Sequence, residues 1–325
     1  MSGPQSDGPS RQLSAANPPS GDSAAAIKQG YIAAVTAFVI WGTFPVYFHA
    51  LLQVPPLQVI AHRVAWSLVF VLVWMYFRGE LGQVRAALTN RSVVLRLATS
   101  AALISLNWLA FVYGVAHGRV VETSLGYFIG PLVNVLLGVV VLSERLTPAQ
   151  WTSVGMATLG VGYLTYITSG LPWIALTIAV SFSCYGFVRK VVKIEALPGL
   201  AMETLILTPV ALGWLIWSEA KGVGSFGHVD TVTNFLLILS GPATAFTLYL
   251  FSYAARRLSY STVGLLQYIA PSLQFASGLF ILHEPFDHAR LIGFVMIWAA
   301  LLLYAGEGVR LSRRQQAPVT ASEPV

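Results

Sequence analysis

The sequence predicts an all-α integral membrane protein: ten transmembrane helices arranged as two five-helix repeats of opposite orientation. Three observations carry that prediction. Of the 325 residues, 56% are hydrophobic and only 10% charged, against about 25% charged in a soluble domain. Apolar runs long enough to cross a bilayer recur along the chain. Two long segments also align without gaps at a constant spacing of 140 residues.

The charge deficit means that most of the chain meets no water, because too few charges remain to build a polar shell. The formal net charge of +6 is spread among short loops, so it predicts no nucleic-acid partner. A single cysteine, Cys184, excludes an intramolecular disulfide and a Cys-rich metal centre; it reads as a small packed residue. No cofactor and no metal are expected. Residues 1–27 are rich in Gly, Ser, Pro, Ala and Gln and read as a disordered tail, as do residues 311–325. The first apolar segment, about 22 residues from Tyr31, is too long for the core of a cleaved signal peptide and is followed by further spans.

Taken in order, the predicted spans lie near 30–50, 56–77, 97–117, 121–142, 148–168, 171–190, 198–217, 233–253, 260–282 and 288–308. Thr147-Pro148 and Asp287 stand where helix caps belong. With the N-terminus inside, 15 of the 19 Lys and Arg residues fall on cytoplasmic loops, tails and span ends, Arg189 and Lys190 among them; Arg119, Lys221 and Arg290 fall outside, and Arg63 lies within a span. That asymmetry predicts a multi-pass protein of the cytoplasmic membrane with both termini in the cytoplasm.

Residues 111–144 align with 251–284 at eight identical positions, among them Pro131/Pro271, Gly138/Gly278 and Glu144/Glu284, and the spacing extends back to Ala61/Ala201 and Trp74/Trp214. A first repeat over 28–168 and a second over 169–310 each hold five spans. An odd number inverts the second half. Inverted repeats suit a secondary transporter, whose halves exchange conformations around a central site.

Charged and amide groups inside the spans nominate that site. Arg63, preceded by His62, lies in span 2, and its repeat equivalent is Glu203 in span 7; intramembrane charges face cavities or partners. Pro131 and Pro271 are expected to kink spans 4 and 9 and to free the carbonyls of Tyr127 and Gln267. Asn134 and Gln274 follow one turn later, so a polar lining at the midplane is expected. Asn107, Trp108, Tyr249 and Trp41 are further lining candidates. Each has a plainer reading: interfacial snorkelling for the charges, helix-to-helix hydrogen bonding for the amides and a structural hydrogen bond for His62. Gly126 and Gly130 form a GxxxG, which more often marks close helix packing than binding. The stretch 283–288, HEPFDH, does not have the spacing of H-E-x-x-H and reads as a loop-and-cap device repeated from Glu144 and Thr147.

The stretches 40–67, 106–146, 171–190, 197–205 and 255–275 resemble the RarD-like proteins of the EamA family, in the drug/metabolite transporter superfamily; WG-x-FP-x-YF, AHR and LGYFI-x-PL-x-N-x-LLG are the most specific parts. The resemblance covers roughly 28–308. It implies ten helices, termini inside, a cavity lined by spans 1–4 and 6–9, and spans 5 and 10 at the periphery. It also implies a permease; chloramphenicol is a label the family carries.

The leading expectation is therefore a non-enzymatic permease for small organic metabolites or drugs, working by alternating access. Its partners would be the lipid bilayer and a small-molecule substrate; a homodimer is compatible with these features. A passive channel is the alternative, which saturable, exchange-accelerated flux would exclude. An intramembrane enzyme on lipid-linked substrates ranks lower, for want of a catalytic cluster.

Overall fold

The computed structural model describes residues 21–116, 120–167, 173–281 and 288–316. These form twelve helices: α1 (Gly21–His49), α2 (Pro56–Phe77), α3 (Leu81–Thr89), α4 (Arg91–Ala116), α5 (Val120–Val140), α6 (Pro148–Ile167), α7 (Trp173–Val191), α8 (Ala196–Ala220), α9 (Thr231–Arg257), α10 (Tyr260–Leu266), α11 (Ile269–Phe280) and α12 (His288–Gln316). Seven of them, α1, α2, α4, α7, α8, α9 and α12, hold stretches long and apolar enough to cross a membrane. The remaining predicted spans are less clear-cut. The apolar stretch described in α5 runs only from Leu125 to Val140, α6 is diluted by Gln, Thr, Ser and Gly, and the ninth is broken into α10 and α11. Outward faces carry exposed Val69, Val73, Val210, Ile216 and Leu302, a surface suited to lipid and not to water.

The repeat is visible in the helix starts. Pro56 and Ala196 open α2 and α8, and Arg91 and Thr231 open α4 and α9; both pairs are 140 residues apart. Packing obeys the same exchange. α1 lies on α9 and α11, and its counterpart α7 lies on α4 and α5. α2 meets its counterpart α8, α5 meets α10, and α6 meets α12. The α6–α12 pair packs on itself and on α5, away from the α1, α2, α4, α7, α8 and α9 core.

Four features differ from expectation. Helix α3 was not foreseen; nine residues cannot span, and it buries Val84 and Ala87 against the α8 side of the core. Helix α1 begins at Gly21 and α12 runs to Gln316, so helix enters the stretches 21–27 and 311–316 that read as tails; Ala24–Ala26 and the Arg-rich end of α12 are good helix formers. Arg189, counted from the sequence only as a cytoplasmic charge at the end of the span 171–190, is wholly buried in the last turn of α7. Finally, the equivalent prolines act differently: α5 continues through Pro131, whereas its partner helix stops at Leu266 and restarts at Ile269. At that break Tyr268 N–H donates to Leu265 O and Ala270 N–H donates to Gln267 O, the tighter i→i−3 pattern. The Gln267 carbonyl expected to be free is therefore taken.

The caps show what fixes the ends. Thr147 and Gln150 form a capping box at α6: Thr147 N–H donates to Gln150 Oε1 at 2.9 Å and Gln150 N–H to Thr147 Oγ1 at 3.3 Å. Glu144 reaches the start of α10, accepting from Tyr260 N–H, Ser261 N–H and Ser261 Oγ at 2.5, 2.9 and 2.7 Å. Asp287, the expected cap of α12, and His283–Asp287 of the HEPFDH stretch lie outside the described residues, as does Arg119.

Asp230 caps α9, accepting from the Thr233 hydroxyl at 2.7 Å and the Thr233 amide at 2.8 Å. These donors hold its carboxyl below the usual carboxylate range, with Gln53 adding a further bond. A carboxyl whose pKa is lower folded than unfolded stabilises above its unfolded value and loses that contribution as pH falls through the folded one. Asp230→Ala is thus expected to lower Tm at pH 7, and the gap to the parent protein should close below about pH 4. Thermal melts of the two proteins across that range in one detergent check this; no gap at pH 7 would show the cap to be dispensable, and a gap that does not change with pH would show that its charge contributes nothing.

Candidate functional site

Arg63 lies seven residues into α2, about 10 Å along the helix from its start. Its position is fixed by how closely α2 meets α9. Gly241 of α9 sits against the α2 backbone, where an added Cβ would stand 2.6 Å from the Ser67 nitrogen and closer still to Trp66. Ser67 Oγ donates to the Gly241 carbonyl at 2.9 Å. Less than one turn beyond Gly241, Thr244 accepts from Arg63 Nε at 2.9 Å. A missing side chain on α9 therefore lets the guanidinium be held by the next polar group along that face.

Aromatic rings surround the rest of the guanidinium. Its carbon is 5.8 Å from the centroid of Phe44, 5.2 Å from that of Phe48 and 5.1 Å from that of Trp108. Phe44, Tyr47 and Phe48 share one face of α1 by their i, i+3, i+4 spacing, and Tyr47 is anchored through its hydroxyl to the Leu236 carbonyl of α9. The Tyr47 and Tyr127 phenols stand in the neighbourhood of the guanidinium. Arg63, Phe44, Phe48, Trp108, Tyr47 and Tyr127 are all half-buried. Among the described residues no carboxylate pairs with Arg63. This is a cage, not a snorkelling side chain: the cation of α2 points among rings from α1 and α4.

One turn below Phe44 on α1 the bundle closes. Trp41 packs on Phe38, Phe182 and Phe251 at centroid distances of 5.8, 5.7 and 5.7 Å, and Phe251 stacks on Tyr185 at 6.0 Å. Phe38, Phe251 and Tyr185 have no exposed surface. The Tyr185 hydroxyl donates to Glu203 Oε2 at 3.5 Å, and Ser100 Oγ donates to Oε1 at 2.5 Å. Arg189 Nη1 stands 3.7 Å from Glu203 Oε1. Arg189 in turn donates to Ser252 Oγ at 3.0 Å and to the Ala196 carbonyl at 2.7 Å. Both charges are buried, Arg189 at 0% and Glu203 at 3% exposure. Gly199 makes the space, since an added Cβ there would lie 2.9 Å from the guanidinium carbon. This buried network joins α4, α7, α8 and α9 at the end of the bundle where α3 lies. The adjacent connections are tied by Lys190 Nζ donating to the Ala255 and Leu258 carbonyls and by the Arg256–Glu195 pair.

Arg63 and Trp108 thus come together, with the Tyr127 phenol, and not the carbonyl named from the sequence, nearby, while the other candidates stand elsewhere. His62 turns its ring to Phe226, 5.1 Å away, in the α8–α9 connection. Asn107 donates to the Ile178 carbonyl at 2.9 Å and ties α4 to α7. Asn134 and Gln267 bond to each other at 2.7 Å, across α5 and the α10–α11 break, so the amide expected to line the midplane with Gln274 instead joins two helices. Gln274 donates to the Trp41 carbonyl at 3.2 Å. Tyr249 packs on Trp74 at 4.9 Å, away from Arg63. The GxxxG serves packing: Gly126 lies against Ala175 and Ile178 of α7. Thr244, Phe44, Tyr47, Phe48 and Arg189 were not foreseen; the aromatic run 44–48 at helical spacing beside an intramembrane arginine was the available signal.

The profile of the EamA-like transporter family matches residues 28–166 and again 169–306. A protein of Pseudomonas aeruginosa described as an uncharacterized transporter is 39% identical over 90% of this chain and 98% of its own. Protein RarD of Escherichia coli (strain K12) is 37% identical over 88% of this chain and 97% of its own. A crystal structure with 17% identity superposes on 90% of this chain and 99% of its own with a TM-score of 0.68, a likeness of fold. The chain is a RarD-like, multi-pass membrane protein of the EamA-like transporter family.

Proposed function

We propose that this chain is a secondary transporter of small organic molecules in the cytoplasmic membrane, with ten crossings, inverted halves, both termini inside, and Arg63 at the substrate site. One observation carries the reading: a half-buried cation with no carboxylate partner among the described residues stands in an aromatic cage at one end, while the other end is sealed by the Trp41–Phe251 cluster and the Arg189–Glu203 network. A site reached from one side and shut from the other is one state of an alternating-access cycle. The exchange of helix contacts between halves supplies a route to the second state, in which the seal moves to the Arg63 end. The loop charge asymmetry supports a cytoplasmic position for the sealed end, and on that reading the arrangement is an outward-facing state.

The transport reading is tested by counterflow in proteoliposomes: labelled solute accumulation should saturate and be accelerated by unlabelled solute on the opposite side. Flux rising linearly with concentration and indifferent to the far side would replace it with a passive channel. Arg63→Ala is expected to lower accumulation at least tenfold while leaving a monodisperse protein.

A further inference from the structure

We infer that the Arg63 cage selects small organic monoanions, carboxylates with an aromatic or otherwise apolar body. The inference rests on the transporter reading for its meaning and names the substrate class of that site. Charge comes first. The same bundle holds two arginines within its core. Arg189 has Glu203, Ser252 and the Ala196 carbonyl around it. Among the described residues Arg63 has one neutral acceptor, Thr244, on Nε, with the rings of Phe44, Phe48 and Trp108 around the remainder. A cation among apolar walls is costly without a counter-charge, so an arriving anion supplies what the fold withholds. The two Nη groups present the planar fork that suits a carboxylate.

Valence comes second. His62, the neighbouring basic residue, faces Phe226 and not the cage. One guanidinium balances one negative charge; a nucleotide or a tricarboxylate would leave uncompensated charge against Phe44, Phe48 and Trp108. The walls come third. Aromatic cages ordinarily take organic cations on their ring faces, but here Arg63 already occupies those faces. A second cation is repelled, while the aryl or alkyl body of an anion matches the apolar character of these walls. Sugars and other polyhydroxylated solutes would find few polar partners.

The test is thermal stabilisation of the purified full-length protein by isosteric probes: 3-phenylpropionate (anion), 3-phenylpropanamide (neutral), 3-phenylpropylamine (cation) and citrate (polar polyanion). The carboxylate should raise Tm and bind at least tenfold more tightly than the amide; the amine and citrate should give no shift. Arg63→Met should erase the preference between acid and amide, Arg63→Lys should keep it at weaker affinity, and Thr244→Val, which leaves the charge in place, should weaken the acid alone. Equal binding of amide and acid by the parent protein, binding of the amine, absence of any carboxylate response, or an undiminished acid preference in Arg63→Met would overturn the assignment. Counterflow with the same probes separates it from the transport reading. Saturable exchange of the amide or amine without the acid keeps the transporter and discards the carboxylate. Arg63-dependent binding of the acid without exchange keeps the ligand class and discards transport.

Discussion

Arg189→Ala should destabilise the folded protein by about 3–5 kcal/mol, the range found when one member of a buried ion pair is removed. The substitution leaves Glu203, 3% exposed, with only Ser100 and Tyr185 as donors. It also strips Ser252 and the Ala196 carbonyl of a partner and opens a void above Gly199. A double-mutant cycle distinguishes lost pairing from lost volume. Arg189→Ala with Glu203→Gln should recover at least about 1 kcal/mol of the single-variant loss, because the orphaned charge is gone. Denaturant or thermal unfolding in one detergent provides the readout. A loss below about 1 kcal/mol, or no recovery in the double variant, would show that the pair does not hold this end.

The same variant bears on the seal. If the Arg189–Glu203 network closes one end of the path, weakening it should expose that end. Ala255→Cys, at a fully buried position on α9, placed in a Cys184→Ser background, should react slowly with a small membrane-impermeant thiol reagent. Adding Arg189→Ala should speed that reaction several-fold. Unchanged labelling would mean that closure belongs to the Trp41–Phe251 cluster alone.

Much of the fold was legible because bilayer thickness and caps set helix ends locally. Pro56, Thr147-Pro148 and the spacing of 140 residues are sequence features, and α2, α8 and α6 begin where they point. The break at Gln267 and Tyr268 was not legible, since Pro131 and Pro271 are equivalent in sequence but only one helix is interrupted. What differs is tertiary: Gln267 meets Asn134 from the facing helix. Helix α3 was missed because a nine-residue segment has no span-length signal.

The site divides in the same way. Arg63 and Glu203 were identifiable because charge inside an apolar run is rare and demands a partner or a cavity. Which of the two applies depends on residues far away in sequence. Glu203 found Arg189, which reads as a cytoplasmic charge at a span end beside Lys190 until α8 and α9 pack around the last turn of α7. Arg63 found rings from α1 and α4, and its acceptor Thr244 stands 181 positions away. Amides such as Asn107 and Asn134 look like lining in sequence, but once helices pack Asn107 donates to the Ile178 carbonyl and Asn134 to the Gln267 amide oxygen.

Gly241→Ala should be the most disruptive methyl addition near the site. The new Cβ would meet Trp66 and stand 2.6 Å from the Ser67 nitrogen, and backbone cannot yield as a flexible side-chain end can. Helices α2 and α9 must then separate, which costs the Ser67–Gly241 hydrogen bond and pulls Thr244 from Arg63. Overpacking of this kind costs about 1–3 kcal/mol, and loss of the buried hydrogen bond adds roughly 1 kcal/mol. The functional consequence should exceed the thermal one, because Arg63 keeps its charge but loses the contact that aims it. Substrate counterflow is expected to fall at least tenfold, with a Tm drop of several degrees. Gly213→Ala, on α8 with open space around its Cβ, provides the control and should leave both unchanged. If Gly241→Ala matched that control in flux, close approach of α2 and α9 would not be what positions Arg63, and Thr244 would be an incidental neighbour.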